Sequence, residues 1–115
     1  MALKITSRDV DGITIVALQG DVVLGEESSS LREKMQGLLA EDKKKLIIDM
    51  SEMAFIDSSG LGALVGVHHS VNASGASLRL CGLGTKFKDL LRITGLLNVF
   101  NVSSNEAEAI QSFAQ

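Results

Sequence analysis

Two runs near the start alternate apolar and polar positions in the way of half-buried strands: Leu3 to Arg8, "LKITSR", and Ile13 to Gly20, "ITIVALQG". Asp9-Val10-Asp11-Gly12 joins them, and Asp-Gly between β-prone runs predicts a hairpin. After Gly20 the alternation is lost in "DVVLGEESSS", which reads as a loop. From Glu26 the period becomes helical, with Leu31, Met35, Leu38 and Leu39 on one face. Glu26 and Glu27 near that helix's start and Lys43, Lys44 and Lys45 past its end suit the helix dipole. "KLIIDM" is a short continuous apolar run, the pattern of a strand buried on both faces. A second helix follows Asp57, presents Leu61, Leu64, Val65, His68 and Val71 on one side, and stops near Gly75. "SLRLCG" reads as the next strand. Thr85 is the expected cap of a third helix, with Phe87, Leu90, Leu91 and Thr94 aligned and Gly95 ending it. "NVFNV" reads as a last strand, and Ser103 and Glu106 have capping-box spacing for a terminal helix burying Ile110 and Phe113.

The order β-β-α-β-α-β-α-β-α predicts an α/β fold: a mixed sheet, antiparallel in its first hairpin and parallel later, packed with about four helices. With 115 residues, no repeat and no internal linker, residues 1–115 are expected to form one domain. The net charge of −3 and the absence of Trp and Tyr argue against a nucleic-acid surface. Residues 58 to 78 carry no Lys, Arg, Asp or Glu, a membrane-like length. Two His, an Asn, four Gly and several Ser within the run argue against insertion in a bilayer. The start shows no signal-peptide core, and a lone cysteine, Cys81, follows an apolar run as a buried small hydrophobe would. A soluble, cytoplasmic domain is expected.

The chemistry concentrates in "FIDSSGLGALVGVHHS", residues 55 to 70. A serine nucleophile needs a base within hydrogen-bond reach and a group that orients the base. His68 lies ten residues along the same helix from Ser58, roughly 15 Å away at 1.5 Å per residue, and His69 is no nearer. The flanks also lack a Gly-x-Ser-x-Gly elbow. His68 and His69 are adjacent, point apart and have no spaced Cys or acidic companion, so no metal site is expected. His68 reads as semi-buried and His69 as solvated. The chain is therefore read as a non-enzyme without cofactors. Two readings of the corner remain: Asp57 and Ser58 as helix caps, or a phosphoacceptor serine at an accessible helix start. Gly60 and Gly62 either let a large partner approach the hydroxyls or pack the helix closely on its neighbours, as Gly66 is expected to do.

"FIDSSGLGALV" resembles the signature of bacterial anti-sigma factor antagonists, the stand-alone STAS domains. The resemblance covers nearly the whole chain: "LQGDV" is similar to the family's Gly-acid-apolar strand end, "LIIDMSEMAFIDSSGLG" to its central strand and phosphorylation corner, and "LLRITGL" to its late helix-Gly-Leu. It implies that Ser58, rather than Ser59, accepts phosphate from a partner that is both anti-sigma factor and serine kinase. The unphosphorylated antagonist then binds the anti-sigma factor, the phosphorylated one releases it, and a PP2C-type phosphatase resets it. Partner contacts are expected at Asp21, Val22, Val23, Leu24, Asp57, Ser58, Ser59, Gly60, Leu61 and Gly62. Many members carry Asp where this chain has Val23. Val22, Val23 and Leu24 either extend the second strand or form an exposed apolar loop whose valines anchor a partner. The resemblance also admits a subunit of a membrane lipid-transport ABC system, with no phosphate cycle, or a nucleotide-sensing module.

Overall fold

Asp11 and Gly12 both take positive φ, 52° and 79°. That is the left-handed pair of a type I′ turn, whose twist matches the strands it joins. In the computed structural model, which describes residues 3–22 and 26–114, this turn links β1 (Lys4–Val10) to β2 (Ile13–Val22) as an antiparallel pair. The chain continues through α1 (Glu26–Ala40), β3 (Lys45–Ile56), α2 (Ser58–Ala73), β4 (Ser77–Cys81), α3 (Thr85–Ile93), a 3-10 turn at Leu96–Asn98, β5 (Val102–Ser103) and α4 (Glu106–Ser112). The sheet order is β1-β2-β3-β4-β5, and every pairing after the first is parallel. This is the mixed sheet with four helices that the sequence pattern predicts.

Strand alternation divides the core in two. Leu46, Ile48 and Met50 join Val16, Leu18 and Val22 of β2 and Leu78 and Leu80 of β4 on one face. Leu31, Met35, Leu64, Val67, Val71 and Leu91 close over them from α1, α2 and α3. Ile47 points the other way and meets Ile13, Ile15, Cys81 and, from α4, Ala109. Each such fully buried aliphatic side chain contributes about 1.5–3 kcal/mol relative to exposure.

Several local expectations are corrected. β2 runs past Gly20 to Val22, because Asp21 and Val22 still pair with Phe55 and Ile56 of the neighbouring strand. "NVFNV" contributes only Val102 to a two-residue strand, Val102–Ser103, and Phe100 turns into the core from outside the ladder. α3 is preceded by Gly84 without a side-chain cap, and Thr85 is its first residue. The cap of α4 is Asn105, which accepts from the Glu108 N–H at 2.9 Å, while the Glu108 carboxylate accepts from the Ser104 N–H at 3.2 Å. That capping box sits two residues beyond the Ser103 and Glu106 expectation. Within α4, Ala109 is buried, whereas Ile110 and Phe113 are half-buried. The lysines do not serve α1. Lys43 pairs with Asp9 at 3.4 Å, and Lys44 donates to the Ser74 carbonyl at 2.8 Å, just past the end of α2. A cation there completes the C-terminus of α2. The side chains of Glu26 and Glu27 lie outside those described.

Cys81 is fully buried, as its sequence context implies, and burial followed by the nearby Asp49 and Glu106 carboxylates pushes its thiol up to about 12. The thiolate is the reactive form. Iodoacetamide at pH 8 should therefore label the folded protein far more slowly than the urea-unfolded chain, as followed by intact mass. Comparable rates in the two states would show that this site opens readily. Because the folded-state value lies above the unfolded one, Cys81 supports the fold fully below pH 9 and loses that support as pH rises toward 12.

Candidate functional site

A single residue turns the chain from β3 into α2. Asp57 is extended, with φ −100° and ψ −175°, and its carboxylate accepts from the Gly60 N–H at 2.8 Å. Its carbonyl accepts the first helical bond, from the Leu61 N–H at 2.9 Å, and its own N–H donates to the Val22 carbonyl at 3.3 Å. Asp57 is thus the N-cap, one of the residue types that best satisfies an orphan N–H at a helix start. Ser58 follows as the first helical residue, exposed, and its hydroxyl takes no hydrogen bond among the described residues. Ser59 is half-buried. Of the two readings of this corner, the capping one belongs to Asp57 and leaves Ser58 uncommitted.

The cap carries an expected magnitude. Asp57→Ala should cost about 1 kcal/mol, a fall of roughly 5 °C in thermal midpoint for a domain of this size. Asp57→Asn, which keeps the acceptor, should cost less. Equal midpoints for Ala and wild type would remove the cap from the energetics.

Gly60 explains why the corner sits where it does. A Cβ on it would lie 2.1 Å from the Val22 carbonyl oxygen and 2.7 Å from Ile56 Cγ1. The first turn of α2 therefore rests directly on the last carbonyl of β2, which brings Asp21 and Val22 beside residues 56 to 60. Asp21 and Val22 thus lie next to the corner residues in the expected set of partner contacts. Val23 and Leu24 lie outside the described residues. Val22 itself is fully buried, so its side chain offers no apolar anchor; it points into the core beneath the helices. Asp21 and Leu61 are half-buried, and Leu61 packs against the core cluster. Gly60 is a close-packing glycine and not an open approach. Gly62 and Gly66 are exposed, with nothing within 4 Å of a built Cβ, so Gly62 does leave room beside the hydroxyls and Gly66 packs nothing.

His68 is half-buried, its ring edge-on to Phe100 at 5.2 Å between centroids, and its Nε2 accepts from the Asn72 amide at 3.1 Å. His69 is exposed. Among the described residues there is no group of three His, Cys, Asp or Glu side chains placed to hold a metal ion, and no helix long and apolar enough to cross a membrane.

A STAS-domain family profile matches residues 4–109. The chain belongs to the STAS-domain family. Among its relatives is the anti-sigma-B factor antagonist of Listeria monocytogenes, 30% identical over 94% of this chain and 93% of that protein. Another is the anti-sigma-B factor antagonist of Bacillus subtilis, 36% identical over 70% of this chain and 73% of that protein. A crystal structure of a candidate anti-sigma factor antagonist from Thermotoga maritima shares the fold, with a TM-score of 0.89 at 20% identity, 96% coverage of this chain and 95% of that one. In this STAS domain the Asp-Ser-Ser corner is an accessible strand-to-helix junction whose structural work falls to Asp57 and Gly60.

Beside the corner lies a feature that periodicity did not single out. Met53, Ala54, Phe55 and Ile56 of β3 face Gly84 to Phe87 and Leu90 of α3 across a groove of ≈ 530 Å³. Phe55 is 49% exposed in it. The signal available in the sequence was the apolar "MAFI" beyond "KLIIDM", which lengthens β3 well past its neighbour β4.

Proposed function

We propose that this STAS domain is an anti-sigma factor antagonist that works by binding rather than catalysis and is switched by phosphate on Ser58. The observation that carries the reading is the exposed Ser58 hydroxyl, free of any capping role, at a helix start whose dipole and backbone N–H groups tolerate an anion. Membership of the STAS family and the names of the curated relatives support it. In this reading the partner is an anti-sigma factor serine kinase, ATP supplies the phosphate, and a PP2C-type phosphatase removes it. The contact surface comprises Asp21, Asp57, Ser58, Ser59, Leu61 and Gly62, with Gly60 holding the corner in place. Its cellular setting is the cytoplasm.

Incubation with the purified cognate kinase and ATP should add one phosphate, located by fragment mass spectrometry at Ser58. Ser58→Ala should abolish labelling while leaving the fold intact, because the hydroxyl bonds nothing among the described residues. Phosphate found on the Ala variant, or on Ser59 in the wild type, would refute the assignment.

A further inference from the structure

β3 is twelve residues long, and β4 pairs with it only from Lys45 to Asp49. The seven residues from Met50 to Ile56, roughly 23 Å at 3.3 Å per residue, pair with β2 on one side and have no ladder partner on the other among the described residues. The Ser51 N–H is satisfied by the Asp49 carboxylate at 2.9 Å, which closes the near end of this open edge. At the far end Asp57 sends its N–H toward β2. Strand alternation therefore turns the Ile56 amide away from β2, toward the groove bounded by α3, while the register shift between Met53 and Phe55 makes Ala54 a bulge. The groove occupies the lane that β4 would fill had it continued beyond Cys81. Among its lining residues Lys86 is the one ionisable side chain, and it meets no carboxylate among the described residues.

From these features we infer that the groove is a strand-addition site: an extended segment of a partner protein lies alongside residues 53 to 56, continues the sheet, and sets an acidic side chain against Lys86. Unpaired strand amides specify an extended backbone, because a helix satisfies its own. Met53, Phe55 and Leu90 give apolar contacts to alternate side chains of the incoming segment. The inference does not depend on phosphorylation of Ser58.

The probe is a displayed library of random nine-residue peptides selected on the full-length protein. Selected peptides should carry an acidic residue among apolar ones, and on binding should slow amide exchange of Ile56 by tenfold or more in NMR spectra. Ile56→Pro removes the edge amide that faces the groove, and should weaken the selected peptides at least tenfold. Lys86→Glu, at an exposed position of α3, keeps the test open should the proline variant fail to fold. It should reverse the charge preference of the selected peptides. The inference falls if no peptide is selected, or if bound peptides leave the Ile56 amide exchanging as before. It falls equally if the Lys86→Glu variant selects the same acidic peptides. Concentration-dependent protection of the Ile56 amide without peptide would assign the groove to a second copy of the chain and also overturn it.

Discussion

Gly60→Ala is expected to destabilise the domain by about 3 kcal/mol or more, a fall of roughly 15 °C in thermal midpoint. The sign runs against helix propensity, since Ala inside a helix is ordinarily favoured over Gly by about 1 kcal/mol. What reverses it is distance. The added methyl would stand 2.1 Å from the Val22 carbonyl oxygen, closer than any real contact, and the oxygen belongs to backbone that cannot rotate aside. Relief requires α2 to lift from β2. Lifting strains the Asp57 cap on the Gly60 N–H and the Asp57 N–H bond to Val22, and it loosens Leu64 and Val67 over the sheet. Gly62→Ala is the internal control. It lies two residues along the same helix, nothing stands within 4 Å of its Cβ, and it should gain about 0.5–1 kcal/mol. Thermal melts of the two variants separate the readings of these glycines. A Gly60→Ala midpoint within about 2 °C of wild type would mean that the corner yields easily and that the close approach is not what places it.

What was legible in the sequence follows the range of each interaction. The hairpin was legible because Asp11 and Gly12 settle their own dihedrals, and the helices because Leu31 to Leu38 and Leu61 to Val71 mark faces within their own segments. The Asp-Ser corner was legible for the same reason: a cap acts over three residues, from Asp57 to Gly60. Strand lengths were not. β3 continues through Ser51 and Glu52, polar residues that break the apolar run, and its register against β2 shifts twice on the way to Ile56. Only the neighbouring strand, distant in sequence, determines how far it reaches. For Val22 the sequence left two readings, an exposed anchor or an extension of β2, and the structure takes the second: its backbone extends β2 and its side chain is roofed by helices. Gly60 resembled any small residue near a hydroxyl, and its necessity rests on a carbonyl 38 positions earlier in the chain. The β3–α3 groove arises from an unequal pair of strands, which no local pattern encodes.

Phosphate on Ser58 is expected to leave the fold nearly unchanged while weakening partner binding about 30-fold or more. Two local effects on folding oppose each other. A phosphoserine brings about −1.5 to −2 charges. The N-terminus of α2 favours an anion by about 0.3–1 kcal/mol, whereas the Asp57 carboxylate one residue away repels it. Their difference stays within about 1 kcal/mol, a few degrees of midpoint. At an interface the balance is different. An exposed hydroxyl can be desolvated at little cost, but a dianion next to a carboxylate must lose its water or find a cation, and a central contact of this kind is worth about 2 kcal/mol or more. At 1.4 kcal/mol per tenfold, that is about 30-fold in affinity. Ser58→Ala, which removes a group with no partner among the described residues, should keep binding to within about threefold. Calorimetry of the phosphorylated, unphosphorylated and Ala proteins against the purified anti-sigma factor, beside thermal melts of each, measures both quantities. Equal affinity of the phosphorylated and unphosphorylated proteins would take the switch away from Ser58. A large loss of midpoint on phosphorylation would instead locate the switch in the fold of the corner, with Asp57 repulsion outweighing the helix dipole.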